Sequence, residues 1–291
     1  MTKNLSGLLV PVTTPFDRKN GNIDYGSVRT NCSFFLNAGA NGLLAAGSTG
    51  EAPLLANGEV ASLVRELRTL IPEDKWLIVG TGRESTAATV AACSVAWEHG
   101  ADAVLVRAPC YFASAMTEQV LVSHFTRVAD ESPIPVLLYN IPKYTHIDLS
   151  SSLLATMAKH QNVMGAKDSS GDLENFKSYR NAAPDWSLLV GSGATFLDGL
   201  EAGAVGGVLA VANFAIGLCL DVLEAFNQSD HAAATTAQER LTTLHKNIVA
   251  GMGPPGVKAA MDLVGLSGGT LRSPLIEVSS DARILIKDLL A

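Results

Sequence analysis

Val163-Met164-Gly165-Ala166-Lys167-Asp168-Ser169-Ser170-Gly171 is a short apolar run that stops on a lysine and passes at once into a polar, glycine-punctuated turn. It reads as a buried strand whose last residue carries an ammonium to the point where the strand leaves the core. The segment Leu173 to Ala182 that follows has helical spacing, and Ser187-Leu188-Leu189-Val190 is a second apolar run of strand length. A strand, a turn, a helix and a strand make up the repeating unit of a parallel sheet, because parallel neighbours need a crossover between them.

The same alternation extends in both directions from this stretch. Upstream lie the strand-like runs Gly7 to Thr13, Gly42 to Ala46, Trp76 to Val79, Ala103 to Val106 and Pro135 to Tyr139. Helix-like segments separate them at Asp24 to Ala38, Asn57 to Leu70, Ser85 to His99, Thr117 to Ala129 and Leu149 to Lys159. Downstream, Thr195 to Ala202 leads to Gly206 to Ala210, which makes eight strands. Eight such units in about 210 residues match an α/β fold of the (β/α)8 TIM-barrel type. An open doubly wound sheet is the alternative, but no strand here runs into the GxGxxG turn of its nucleotide sites.

After the eighth strand only helical patterns remain, at Phe214 to Asn227, His231 to Ala250, Val257 to Val264 and Ser280 to Leu290. Gly251-Met252-Gly253-Pro254-Pro255-Gly256 is expected to separate two of them, since proline and glycine end helices. The expected division is a catalytic barrel over residues 1–225 and a C-terminal helical extension over 226–291 packed on it.

Hydrophobic residues make up 47% of the 291 and charged residues 17%, which describes a compact globular chain and not a disordered one. The net charge of −7, with no Lys/Arg-rich block to offset it, argues against nucleic acid or an anionic membrane as partner. The N-terminus lacks the pattern of a secretion signal, and no apolar stretch approaches the ~20 residues of a membrane span. Cys32, Cys93, Cys110 and Cys219 are scattered without CxxC or Cys/His spacing, so no disulfide framework or zinc site is expected. A reducing cytoplasm is the expected location.

In a barrel of this kind the chemistry sits at the C-terminal ends of the strands. Here those ends collect Thr13-Thr14, Gly47-Ser48-Thr49-Gly50-Glu51, Thr81-Gly82, Pro109-Cys110-Tyr111, Tyr139-Asn140, Lys167-Asp168-Ser169, Gly191-Ser192 and Ala210. The set holds many hydroxyls and one ammonium but no His/Asp/Glu cluster, so neither a metal nor any other cofactor is expected. A desolvated lysine is a usable amine nucleophile, although a lysine stem can also pack on a sheet edge with its head in water. The turn at Gly47 to Glu51 can aim N–H groups and hydroxyls at a carboxylate, or can simply be a tight turn with capping hydroxyls. Glu51 reads as a structural buried acid or a first-turn helix residue, and not as a catalytic group. Tyr139 ends an apolar strand, and its hydroxyl either serves as a proton shuttle or is satisfied within the core. His99, His124, His160, His231 and His245 fall in helices or at helix ends and are expected at the surface, which leaves His146 as the histidine on the functional side.

Taken together, Gly47-Ser48-Thr49-Gly50-Glu51, Tyr139-Asn140-Ile141-Pro142 and Gly165-Ala166-Lys167-Asp168 resemble the dihydrodipicolinate synthase / N-acetylneuraminate lyase superfamily of pyruvate-dependent class I aldolases. The likeness extends to Pro11-Val12-Thr13-Thr14-Pro15-Phe16, Gly100-Ala101-Asp102 and Arg272-Ser273-Pro274-Leu275, and so covers nearly the whole chain. The resemblance implies that Lys167 forms a Schiff base with pyruvate or another 2-oxo acid, and that Tyr139 is the general acid/base. It further implies that Ser48 relays protons between Tyr139 and a Tyr111 reaching in from a neighbouring subunit. Ser48 and Thr49 would hold the substrate carboxylate, the Val208 carbonyl would face the imine, and the assembly would be a homotetramer, a dimer of dimers.

The chain departs from the synthases after the proline of the Tyr-Asn-x-Pro segment. Pro142-Lys143-Tyr144-Thr145-His146 has Tyr144 where the synthases carry a carboxylate-binding arginine, and His146 where glycine is usual. A neutral tyrosine cannot make the bidentate pair of an arginine, although Lys143 can substitute in part. Tyr144 and His146 are therefore expected to touch substrate. Ala129 to Val136, Lys167 to Asp172, Ala204 to Val208 and Gly256-Val257-Lys258 look more like the 4-hydroxy-2-oxoglutarate aldolases. The expected reaction is cleavage of a 4-hydroxy-2-oxo acid or 2-keto-3-deoxy sugar acid to pyruvate and an aldehyde such as glyoxylate. Dihydrodipicolinate synthesis from pyruvate and aspartate semialdehyde is the alternative, and a non-catalytic keto-acid sensor would keep the same pocket.

Overall fold

The computed structural model describes residues 3–291. Eight parallel strands close into a barrel in chain order: β1 (Gly7–Pro11), β2 (Gly42–Ala45), β3 (Trp76–Gly80), β4 (Ala103–Arg107), β5 (Val136–Asn140), β6 (Val163–Asp168), β7 (Ser187–Val190) and β8 (Gly206–Val208). β8 pairs back onto β1, so the sheet has no open edge. Along each strand the residues alternate between two cores. Leu8, Val10, Leu43, Leu77, Val79, Val104 and Leu138 pack outward beneath the helices, while Leu9, Leu44, Ile78, Leu105, Leu137 and Leu189 fill the interior. Both faces are buried, which is why the strands read as unbroken apolar runs.

Several of the expected helix starts are caps. The side chains of Asp24, Ser85, Thr117, Ser150 and Asp172 each accept from a backbone N–H in the first turn of the helix that follows. Each satisfies a donor that the helix itself cannot pair, and so fixes where the crossover leaves the strand end.

The C-terminal region breaks within Gly251 to Gly256 as expected. The helix His231–Leu244 runs into a π-helix at His245–Ala250 and on into Gly251–Leu263, where non-helical backbone at Gly253 divides one helical stretch from the next. The bend is at Gly253, whose φ of 63° and ψ of −149° suit glycine alone. Pro254 and Pro255 follow directly, at the start of the next helical stretch, where their missing N–H groups would have no intrahelical acceptor anyway.

A buried ion pair fastens this region to the barrel. Lys258 Nζ lies 2.5 Å from Glu51 Oε1, with both side chains almost completely buried. The same ammonium donates to the carbonyls of Thr14 and Thr270, each at 2.7 Å. Glu51 Oε2 accepts from the backbone N–H of Arg272 at 2.9 Å, and the Arg272 guanidinium makes a two-pronged pair with Glu59 at 2.6 and 2.7 Å. Of the two readings the sequence offered for Glu51, the structure has the buried structural acid, held in the left-handed region at φ 59° in the turn after β2. Lys258→Met would leave that carboxylate buried without its cation, and is expected to lower stability by about 3–5 kcal/mol in urea unfolding at fixed protein concentration. Adding Glu51→Leu to Lys258→Met should recover part of the loss, and a single variant as stable as wild type would remove the pair from the list of anchors.

Candidate active site

Strand register brings the two main sequence candidates together. β5 and β6 pair with Tyr139 opposite Lys167, and both side chains turn inward at the C-terminal mouth of the barrel. Lys167 is 4% exposed, so its head does not snorkel to bulk water. Its Nζ donates to Tyr139 Oη at 3.2 Å and lies 4.4 Å from the centre of the tyrosine ring. Ser169 Oγ stands 3.5 Å from the same phenolic oxygen. Space for the lysine is made by Gly191 at the end of β7. A methyl group there would come within 2.8 Å of Lys167 Cε and collide with Ser169 Oγ.

The turn after Lys167 is pinned by its own polar groups. The buried carboxylate of Asp168 accepts from Asn140 Nδ2 at 2.9 Å and from the backbone N–H and hydroxyl of Ser170 at 3.1 and 2.7 Å. Burial pushes the Asp168 carboxyl above its usual range, opposed by these hydrogen bonds. Its backbone carbonyl takes the Gly191 N–H at 2.6 Å, which ties the loops after β6 and β7 together. Lys167 therefore sits on a rigid shelf.

Above it opens a cleft of about 450 Å³, lined by Ser48, Thr49, Tyr139, Lys167, Val208 and Tyr144 among others. Ser48 and Thr49 lie in a turn closed by Gly50 N–H to Gly47 O at 3.0 Å, and Thr14 Oγ1 holds the Gly50 carbonyl at 2.8 Å. The lining includes three lysines, Lys143, Lys167 and Lys246, and no aspartate or glutamate. In a chain of net charge −7 this makes the cleft a local reversal of sign, suited to an anion. Among the described residues, no helix is long and apolar enough to cross a membrane.

Two of the expected site residues lie elsewhere. The short helix Pro142–Thr145 ends at His146 in the left-handed region at φ 55°, which leaves the ring exposed and outside the cleft lining. Tyr111 is 80% exposed on the loop after β4, stacked edge-on against Phe112 at 4.9 Å, and does not reach Lys167 of its own chain. Glu84 holds that loop by accepting from the N–H groups of Cys110 and Tyr111 at 2.9 and 2.8 Å. A second cleft beside it, lined by Arg83, Glu84 and Arg107, shares Ser48 and Tyr139 with the first. Tyr144 does line the first cleft. Burial, with Tyr139 nearby, raises its hydroxyl above the usual phenol range and keeps it neutral.

The histidines correct the sequence reading further. His124 is 5% exposed, with Nδ1 2.8 Å from Thr86 Oγ1. His245 is half-buried and lines the cleft from the C-terminal helices, together with Lys246 and Pro254. The strand-end rule could not find His245, because it comes from beyond the eighth strand, and His124 lies on the helix between β4 and β5.

Comparison with known proteins agrees with this architecture. Residues 4–291 match the model of the dihydrodipicolinate synthetase family. The 4-hydroxy-tetrahydrodipicolinate synthase of Nitrobacter hamburgensis is 34% identical over 287 residues, covering 97% of this chain and 94% of that one. The dihydrodipicolinate synthase DapA-2 of Bacillus anthracis superposes with a TM-score of 0.94 at 26% identity, covering 99% of this chain and 98% of its own. YagE, a prophage protein of E. coli K12 crystallised with pyruvate, gives 0.92 at 26% identity, covering 98% and 97%.

Burial, with Arg107 nearby, pushes His124 from 6.5 down to about 4, and burial with Lys143 and Lys246 does the same to His245. Between these values the unfolded chain binds more protons than the folded one, so stability rises with pH there. We expect it to be fully present above about pH 6.5 and to decline toward pH 4, by up to ~1.4 kcal/mol per pH unit for each ring. The urea midpoint measured against pH should show this decline, and His124→Gln should flatten it. Identical slopes for wild type and His124→Gln would count against a neutral buried His124.

Proposed function

The chain belongs to the dihydrodipicolinate synthetase family and is a lyase, and on that footing we propose that Lys167 forms a Schiff base with the keto carbon of pyruvate or of a longer 2-oxo acid. The observation that carries this is the contact of Lys167 Nζ with Tyr139 Oη at 3.2 Å in a buried, cation-lined cleft. The amine attacks the carbonyl carbon, and the oxygen leaves as water with the Tyr139 proton, giving an iminium and a phenolate. In the cleavage direction the phenolate takes the proton of the C4 hydroxyl. The C3–C4 bond then breaks, its electron pair enters the iminium as an enamine, and the aldehyde departs. Tyr139 returns its proton to C3, and water hydrolyses the imine to pyruvate and free Lys167. Condensation runs through the same steps in reverse. The N–H groups and hydroxyls of Ser48 and Thr49 hold the carboxylate beside the imine, and the Val208 carbonyl faces it.

For the aldehyde half, the absence of any acid from the cleft lining is the guide. An anionic aldehyde is favoured there, whereas an ammonium group finds no counter-ion. This supports cleavage of a 4-hydroxy-2-oxo acid to pyruvate and an aldehyde such as glyoxylate. A second reading, condensation of pyruvate with aspartate semialdehyde, has the support of kinship with the Nitrobacter hamburgensis synthase at 34% identity. Kinship weighs for the synthase, and the charge of the cleft together with Tyr144 in place of an arginine weighs for the aldolase. The assembly we propose is a cytoplasmic homotetramer, a dimer of dimers in which a partner's loop brings its tyrosine to the second cleft, next to Ser48.

Borohydride reduction with pyruvate should leave a covalent adduct on Lys167, detected by mass spectrometry, and Lys167→Ala should abolish it. Tyr139→Phe should keep the fold and slow turnover by about 10²–10⁴. An adduct that persists in Lys167→Ala would end the assignment. Offering glyoxylate and aspartate semialdehyde in competition decides between the two reactions by which product accumulates. Tyr111→Ala should lower turnover and loosen the dimer in sedimentation, and a fully active monomer would exclude the shared site.

A further inference from the structure

The C-terminal helices place one group at the cleft that the Schiff-base steps leave unused. His245 opens the π-helix, and its Nδ1 accepts the N–H of Gly193 at 3.1 Å. A ring nitrogen that accepts carries no proton, so the neutral imidazole has its hydrogen on Nε2. That nitrogen lies 3.4 Å from Ser192 Oγ, a long contact that leaves the N–H available to a stronger acceptor. Burial and the flanking Lys143 and Lys246 hold the ring neutral down to about pH 4. His245 is therefore a fixed donor and not a proton carrier.

Its position relative to the lysine follows from the loop after β7. Gly191 packs against Lys167 Cε, Ser192 comes next, and His245 stands behind Ser192. Ser48 and Thr49 belong to the loop after β2, three strands away round the barrel. A substrate with its first carboxylate at Ser48 and Thr49 and its keto carbon on Lys167 extends its far end toward the other wall. There His245 Nε2–H and the ammonium groups of Lys143 and Lys246 only donate, and a carboxylate only accepts. Lys143 is already oriented by its bond to Ala250 O at 2.6 Å.

We propose that the Nε2–H of His245, beside Ser192, binds the carboxylate of the aldehyde half and so selects aldehydes that carry one. This rests on the Schiff-base reading of Lys167 but on neither choice of acceptor, since glyoxylate and aspartate semialdehyde both bear a carboxylate. It supplies a neutral donor from the far wall, with the ammonium groups of Lys143 and Lys246 beside it in the cleft lining.

His245→Asn separates the two sides of the ring. The asparagine Oδ1 takes the place of Nδ1 and keeps the Gly193 N–H paired, while the donor facing the cleft is lost. In condensation with pyruvate, its KM for glyoxylate should rise about 10- to 100-fold, the scale of a hydrogen bond to a charged group. Its KM for acetaldehyde, which has no carboxylate, should stay unchanged, and so should the borohydride-trapped pyruvate adduct. An unmoved glyoxylate KM, an equal rise for both aldehydes, or a rise seen only with glyceraldehyde would overturn the proposal. Absence of an adduct in wild type overturns the Schiff-base reading and this one together, whereas an adduct with an unmoved glyoxylate KM overturns this one alone. If His245→Asn does not fold, the wild-type comparison decides: a KM for glyoxylate no lower than that for acetaldehyde overturns it.

Discussion

A closed parallel barrel allows a strand residue only two directions, into the interior or out beneath the helices, and pairing with both neighbours removes the freedom to slip. The placement of Tyr139 and Lys167 depends on that parity. They are register partners on β5 and β6, so once one faces inward the other must as well. Neither side chain needs a dedicated bond to the rest of the site to find the other. The Asp168 network and the missing side chain at Gly191 then hold the lysine where the sheet has put it.

The barrel alone would leave the cleft one-sided. Its other wall comes from the helices after β8, and their position depends on Lys258 meeting Glu51 at the end of β2. Isolated buried charges are expensive, and the pair is tolerable because its ammonium also bonds two carbonyls and its carboxylate a backbone N–H. The result is a site with two parts of different origin. Strand ends provide Lys167, Tyr139 and the turn at Ser48 and Thr49, while the helices provide His245, Lys246 and the bend at Gly253 against which the Tyr144 hydroxyl packs, 3.6 Å from where a Cβ on Gly253 would stand.

The strand-end half was legible in the sequence for a physical reason. A strand buried on both faces is a short unbroken apolar run, so its last residue is easy to locate, and Lys167, Tyr139, Ser48, Thr49 and Val208 all follow from that one reading together with the family resemblance. The helix-borne half carries no comparable signal. His245 sits in a helical pattern that looks solvated, and its direction depends on a π turn and on the bend at Gly253, neither of which has a period to detect. His146 misled in the opposite way. It lies close to Tyr139 along the chain, but one left-handed residue is enough to turn it out of the cleft. Tyr111 belongs to a third class, since its proposed role involves a second copy and one chain cannot contain it.

The buried ammonium of Lys258 also ties together distant parts of the chain, since it bonds the carbonyl of Thr14, 244 residues away. Contacts of such separation are entropically slow to close and depend on most of the intervening chain being in place. As the polypeptide leaves the ribosome, β1 and β2 emerge well before Lys258. Glu51 therefore waits as a hydrated carboxylate through most of synthesis, and loses its water only when the final helices dock. Lys167 on β6 is made before the wall that covers it, so the order of synthesis itself makes the narrowing of the cleft a late event in maturation.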